Sequence, residues 1–243
     1  MENYNQSSNQ FSDYTVVGSS VKPISKTFMA SVFTWMFVAL GVSAMVAYGV
    51  ASNRELLLEL FTTPLRYVII FAPLGFVMAM GLGFQKFSVN TMRLLFILFA
   101  IVNGISLSAI LVIYTSGSIV ACFGSASAMF GIMALMGYTT DKDLTSFGRI
   151  LTMGLVGIVI ASLINMFLKS DSMDFLISII GVAVFTGLTA YDVQKLKRIG
   201  AGVEYEGSSS DVQKISIMGA LTLYLDFINL FIMLLRLFGR RRD

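Results

Sequence analysis

The chain has no histidine, a single cysteine, three prolines and few charges, with 13% of its 243 residues being Asp, Glu, Lys or Arg. Each shortage excludes something. Without histidine there is neither a His-ligated metal site nor an imidazole general base. One cysteine, Cys122, rules out an intrachain disulfide framework. A soluble domain carries roughly 25% charged residues. At 56% hydrophobic and a mean hydropathy of +0.80, this chain cannot hide its apolar surface in a water-facing globule, and it reads as an integral membrane protein. No cleavable signal peptide is visible, and none is expected. Residues 1–18 are polar and slightly acidic (Glu2, Asp13), where a signal would place positive charge directly before an apolar core. The first apolar run starts at Phe28 and is expected to act as an uncleaved anchor. The net charge of +3 and pI near 9.0 do not point to nucleic acid. The basic residues lie between apolar runs and at the C-terminus, the pattern that orients membrane proteins.

A hydrocarbon core of about 30 Å needs about 20 helical residues to cross. Seven segments qualify, roughly 28–50, 65–84, 94–114, 117–137, 149–168, 174–195 and 212–236. None alternates in polarity as a barrel strand would, so the expected fold is all-α and polytopic, in one domain over 28–243. Residues 1–27, rich in Asn, Gln and Ser, have the composition of a disordered tail. Ser116-Gly-Ser118 is tight enough to make the third and fourth spans an antiparallel hairpin. Residues 196–211, with Gly200, Gly202 and Gly207-Ser-Ser-Ser, read as the longest loop, either a solvated linker or a cap. Pro73 should kink the second span. Counting Lys and Arg near the span ends places the N-terminus in the cytoplasm. Seven crossings then leave Arg240-Arg-Arg242 outside, against the rule, so a re-entrant or six-span topology stays open. No internal repeat is visible.

The sharpest signal is two acids inside apolar sequence. Asp192 ends the run beginning at Ser178, and Asp226 sits in the middle of Leu221–Leu235. A carboxylate at membrane depth costs several kcal/mol, so such residues are rare and usually functional. At helical spacing Gly219, Thr222, Asp226 and Asn229 share one face of the last span, and Leu221, Leu225, Ile228 and Ile232 lie away from it. The polar face must turn inward, which puts this helix at the bundle centre. Thr222 and Asn229, like Asn103 with Ser106 and Ser162 with Asn165, either line a pathway or bond neighbouring helices. Gly181, Ala183, Gly187 and Ala190 let the sixth span approach others closely. If that span ended at Arg198, Asp192 would lie about 9 Å from its end, and Asp226 about 16 Å past Ile215. The two depths would then differ, and Asp192 could be an interfacial residue beside Lys195.

These residues carry a resemblance. Phe185-Thr-Gly-Leu-Thr-Ala-Tyr-Asp-Val-Gln194, Leu223-Tyr-Leu-Asp-Phe-Ile-Asn-Leu-Phe-Ile-Met-Leu-Leu-Arg236 and Asn103-Gly-Ile-Ser-Leu107 resemble the signatures of the Bax inhibitor-1 family (transmembrane Bax inhibitor motif, or LifeGuard, proteins). The match runs over residues 28–239, and the polar tail suits a bacterial member of the inner membrane. The resemblance implies six helices in two layers around a central seventh, and a pH-sensitive calcium leak. It also implies that Asp192 and Asp226 form a proton-sharing pair, and that a basic residue at the end of the second span latches it. Lys86 is the nearest candidate, although lysine lacks arginine's planar fork.

Physical chemistry alone supports the pair's behaviour. Two adjacent carboxyls in low dielectric cannot both ionise cheaply, so they titrate as one unit. Protonated, they bond each other and pin the two helices. Deprotonated, they repel and can pass a divalent cation. Ca²⁺ takes several oxygen ligands, so two carboxylates with Asn229, backbone carbonyls or water would make a weak transit site. The ion is cargo, and no resident cofactor is expected. An intramembrane aspartyl protease also uses two helix-borne aspartates, but Leu225 and Phe227 crowd Asp226 where a substrate backbone would have to enter. An enzyme is therefore not expected. The remaining readings are a regulator of another membrane protein, such as a protease, and a cation/proton exchanger. The expected partners are the bilayer, protons and calcium ions.

Overall fold

The computed structural model describes residues 24–206 and 208–242. Eight helices follow in order: α1 (Ile24–Ser52), α2 (Arg54–Thr62), α3 (Leu65–Leu82), α4 (Val89–Ile113), α5 (Ser116–Thr139), α6 (Thr145–Leu168), α7 (Asp171–Glu206) and α8 (Ser209–Phe238). All but α2 are long and apolar enough to cross a membrane, which gives seven candidate spans. Side-chain oxygens start several of them. Asn53, Ser88, Thr115 and Ser208 accept hydrogen bonds from the backbone N–H three residues on, satisfying donors that a helix N-terminus leaves free.

α8 is the hub. It packs against α1, α4, α5 and α7, while α3 lies further out on α4 and α6 on α7. Within its apolar window 72% of residues are buried, against 11% for α3 and α6. The burial is broad but not all-round. Leu221 and Ile228, on the side away from Asp226, are buried, whereas the line Ile215, Met218, Thr222, Leu225, Asn229 and Ile232 is half-buried. A helix enclosed over most of its surface is a core element of the bundle.

Several boundaries differ from the sequence expectation. α1 begins at Ile24, so the tail boundary moves back to residue 23, and residues 1–23 lie outside the described region. The short helix α2 was not foreseen. The largest correction concerns 196–211, read as a loop. α7 stays helical to Glu206 and α8 starts at Ser209. Gly200 suggested flexibility but is a packing residue, since a Cβ there would lie 2.5 Å from the Phe28 ring of α1.

We call the end of the bundle where α1 begins the N-face, and the opposite end the C-face. The chain after α8 sits on the C-face. There, Thr115 N–H donates to the Arg240 carbonyl at 3.0 Å, and Arg242 N–H donates to the Ile113 carbonyl at 2.8 Å. The described termini therefore lie on opposite faces. Seven crossings satisfy this, and six do not.

Candidate functional site

Asp192 on α7 and Asp226 on α8 face each other, with their carboxyl groups within hydrogen-bonding reach. The extension of α7 makes this possible. From Asp192 to Glu206 is fourteen residues, and from Ser209 to Asp226 seventeen, or about 21 and 26 Å of helix. The two acids thus reach matching depths, and the mismatch expected from a shorter α7 disappears. Asp226 is 5% exposed, and its Oδ2 has no hydrogen-bond partner among the described residues. Asp192 is half-buried, with Lys195 one turn further along α7 and 5.9 Å from the Tyr191 ring.

Close helix contacts fix this geometry. On α5, a Cβ at Gly137 would overlap the Ala190 carbonyl, two residues before Asp192. On α6, Gly148 receives the Tyr191 ring, and Leu151 fills the space beside Gly187. Gly181 accepts Met233 of α8, where a Cβ would meet its side chain at 2.8 Å. Three of the four small positions expected on α7 therefore serve close packing. Ala183 faces outward. On the other side of α8, Tyr224 O–H and Ser43 Oγ lie 2.7 Å apart, and Ser43 Oγ donates to the Ala100 carbonyl at 2.7 Å. This chain of bonds ties α8 to α1 and α4.

An open groove of about 600 Å³, lined by Leu82, Phe84, Ile199, Ile215 and Met218, lies on the N-face, and neither aspartate lines it. Between α5 and α8, Phe123, Phe130, Phe227 and Phe231 stack edge to face with centroids 5.3–5.8 Å apart.

A family profile described as "Inhibitor of apoptosis-promoting Bax1" matches residues 25–243. The chain belongs to the Bax inhibitor-1 family. Among its relatives, "Inner membrane protein YbhL" of Escherichia coli is 46% identical over 218 residues, covering 89% of this chain and 93% of that protein. An uncharacterized protein of Rickettsia prowazekii is 43% identical, covering 90% of this chain and 91% of its own. One from Borreliella burgdorferi is 42% identical, covering 90% and 94%. These relatives establish a membrane protein of the Bax inhibitor-1 family.

Not every sequence candidate joins the pair. Lys86 lies exposed on the turn after α3 and makes no ion pair among the described residues. The cation that meets that helix end is Lys214 of α8. Its Nζ donates to the Phe84 carbonyl at 3.4 Å and stands 5.3 Å from the Phe84 ring, where positive charge suits a helix C-terminus. Lys86 points away because the turn carries its side chain outward. Lys86→Ala is therefore expected to leave thermal stability unchanged, and Lys214→Ala to lower the unfolding temperature, as read by a thermal melt in detergent.

Thr222 donates to Met218 O on its own helix at 3.2 Å. Asn229 is half-buried one turn from Asp226. Asn103 is half-buried and makes no side-chain hydrogen bond among the described residues, while its neighbour Ser106 donates to the Ile69 carbonyl and joins α4 to α3. Asn165 accepts from Ser170 N–H at 3.0 Å, closing the α6–α7 turn on the C-face, remote from the pair.

Sequence reasoning missed Gln194. It is 5% exposed, accepts from Leu144 N–H at 2.9 Å and donates to the Lys142 carbonyl at 2.8 Å. Lys197 donates to the Tyr138 carbonyl at 2.7 Å, and Arg198 pairs with Asp143 at 2.8 Å. Together they clamp the α5–α6 turn onto α7 just below Asp192. Hydrogen bonds from the Thr145 hydroxyl and N–H, and then from Arg198, hold the Asp143 carboxyl well below the usual carboxylate range. A depressed value means this contact is present above the ordinary carboxylate pKa and is lost only as pH falls through the folded value. At any pH near neutrality it stays ionised, so it is not the element that responds there. Gln194→Ala leaves the part-buried Leu144 N–H without its partner. It should cost about 1–3 kcal/mol, measured as a loss of thermal stability in detergent.

Proposed function

We propose that this protein is a pH-sensitive calcium leak, gated by the Asp192–Asp226 pair. The carrying observation is that two carboxyl groups from different helices meet in the buried bundle, one of them with an oxygen left without a hydrogen-bond partner. An unpaired buried oxygen is costly, and either a proton or a cation relieves it. With one proton shared, the pair is a hydrogen bond that pins α7 to α8. When that proton leaves, two like charges in low dielectric repel, and the helices separate to admit a divalent cation.

The site is suited to passage rather than storage. Among the described residues no three of Asp, Glu, Cys and His gather in one place, and Ca²⁺ takes 6–8 oxygens. Two carboxylates, Asn229, backbone carbonyls and water would complete the shell weakly. We place the N-face in the cytoplasm of a bacterial inner membrane. We read the protein as non-enzymatic, because the enclosed Phe227 and half-buried Leu225 leave no room for a peptide at Asp226.

The test is Ca²⁺ flux in proteoliposomes against pH for wild type, Asp192→Asn and Asp226→Asn. Loss of the pH response in both variants supports the reading, and an unchanged profile in either removes the assigned role.

A further inference from the structure

The C-terminal segment forms a basic strap whose position the ion pathway does not use. Gly239–Arg242 lies along the α4–α5 turn, paired through its backbone to Ile113 and Thr115. Arg240 N–H donates to Ser118 Oγ at 2.9 Å, and Arg242 Nη2 donates to Ser116 Oγ at 3.2 Å. Arg240, Arg241 and Arg242 are exposed. None is paired with an acid among the described residues, whereas Arg236, a turn earlier, is already taken by Asp174 at 3.0 Å. Three arginines are thus held in place where the chain leaves the last span, beside the N-terminus of α5, whose dipole also favours an anion.

Directly beneath the strap is a groove of about 460 Å³ between α5 and α8, within the range of small-molecule sites. Gly117, Ser118, Ala121, Ser125, Met129 and Phe238 line it. Its depth is informative. From Ser118 to Met129 is eleven residues of continuous helix, about 16 Å, or roughly half of the ~30 Å hydrocarbon thickness. The groove therefore runs from the arginines to near the bilayer midplane, the reach of one acyl chain within a leaflet. Small side chains on α5 make the space, and Phe238, 73% exposed, stands at the mouth.

We propose that this groove and strap are a binding site for one anionic phospholipid, the phosphate held by Arg240–Arg242 and one acyl chain lying between α5 and α8. The site is independent of the calcium reading, since neither aspartate takes part.

The experiment uses the full chain in nanodiscs of phosphatidylcholine, with Phe238→Trp as reporter in a Trp35→Phe background. Brominated phosphatidylglycerol or brominated phosphatidylcholine is titrated in, and quenching of the introduced indole is read. The expected result is half-maximal quenching at a lower fraction of phosphatidylglycerol, by about fivefold for each arginine engaged. Replacing the three arginines by glutamine should equalise the two lipids. These changes leave the backbone pairing intact. Ser125→Phe, which fills the groove from an exposed position and keeps the arginines, should also abolish the preference.

Equal quenching by both lipids in the otherwise unchanged chain would overturn the proposal. Survival of the preference in Ser125→Phe would overturn it too, since the attraction would then be diffuse surface charge. Removal of the preference by millimolar glycerol phosphate would identify a soluble anion as the occupant, with the same consequence.

Discussion

Asp226→Asn is expected to hold calcium flux at its acid-limited level across the whole pH range. The amide keeps the shape of the acid and donates to the Asp192 carboxylate, so the α7–α8 pin persists with no proton to lose. At alkaline pH, flux should fall on the order of tenfold below wild type, the size of a typical coupling between two sites. Asp226→Ala should behave in the opposite sense. With the pin removed and no like charge to develop, flux should be pH-independent but should not collapse to the acid-limited level. The contrast matters because both substitutions delete the same charge. If both variants gave the same flux at every pH, the hydrogen bond between the helices would have no part in gating. Asp226 is 5% exposed, so each variant must first be shown to be folded by its thermal melt.

The second large effect is on stability. Gly137→Val should remove a substantial share of the folding free energy, because the added Cβ falls on the Ala190 carbonyl oxygen and within 2.8 Å of Ala190 C and Cα. These are backbone atoms in the middle of α7, and they have no rotamer to adopt. The helices must part, opening the α5–α7 interface and moving the residue two positions from Asp192. Overpacking a core costs typically 1–3 kcal/mol and more where the backbone is involved, against a total stability of about 5–15 kcal/mol. Gly124→Ala and Gly131→Ala on the same helix meet nothing within 4 Å. They should be neutral or stabilising by up to about 1 kcal/mol through helix propensity. Thermal unfolding in one detergent compares all three. A Gly137→Val protein as stable as wild type would mean that α5 and α7 do not cross as described.

The membrane class, the seven spans and the two acids were legible in the sequence because each rests on burial cost. Long apolar runs leave no choice but helices in lipid, and an acid in such a run is visible from its neighbours alone. The central place of α8 followed from its polar face, although Thr222 and Asn229 of that face proved half-buried while the apolar Leu221 and Ile228 are enclosed. Legibility failed where a residue's role depends on what lies across from it. Gly200 and Gly202 suggested a loop, but glycine in a helix can equally mean that another side chain needs the space, and Phe28 was not visible as that partner. The shortened α7 then made the depths of Asp192 and Asp226 disagree. Lys86 was chosen for its nearness in sequence to the end of α3, yet the cation that reaches that end comes from α8, 130 residues away along the chain. Gln194 was inside a quoted motif, but a buried amide joined to two backbone groups of a distant turn has no sequence signature. Gly137 is one of four glycines on α5, and nothing in the spacing marks the one that touches backbone.

The central claim is that Asp192 and Asp226 act as one unit. A double-substitution cycle on the pH dependence of calcium flux tests it most directly, using Asp192→Asn, Asp226→Asn and the two combined in the same liposomes. The account predicts strong non-additivity, with the double variant no more impaired in its pH response than either single one. Independent, additive effects of the two substitutions would contradict it, because two acids that titrate separately cannot form the gate.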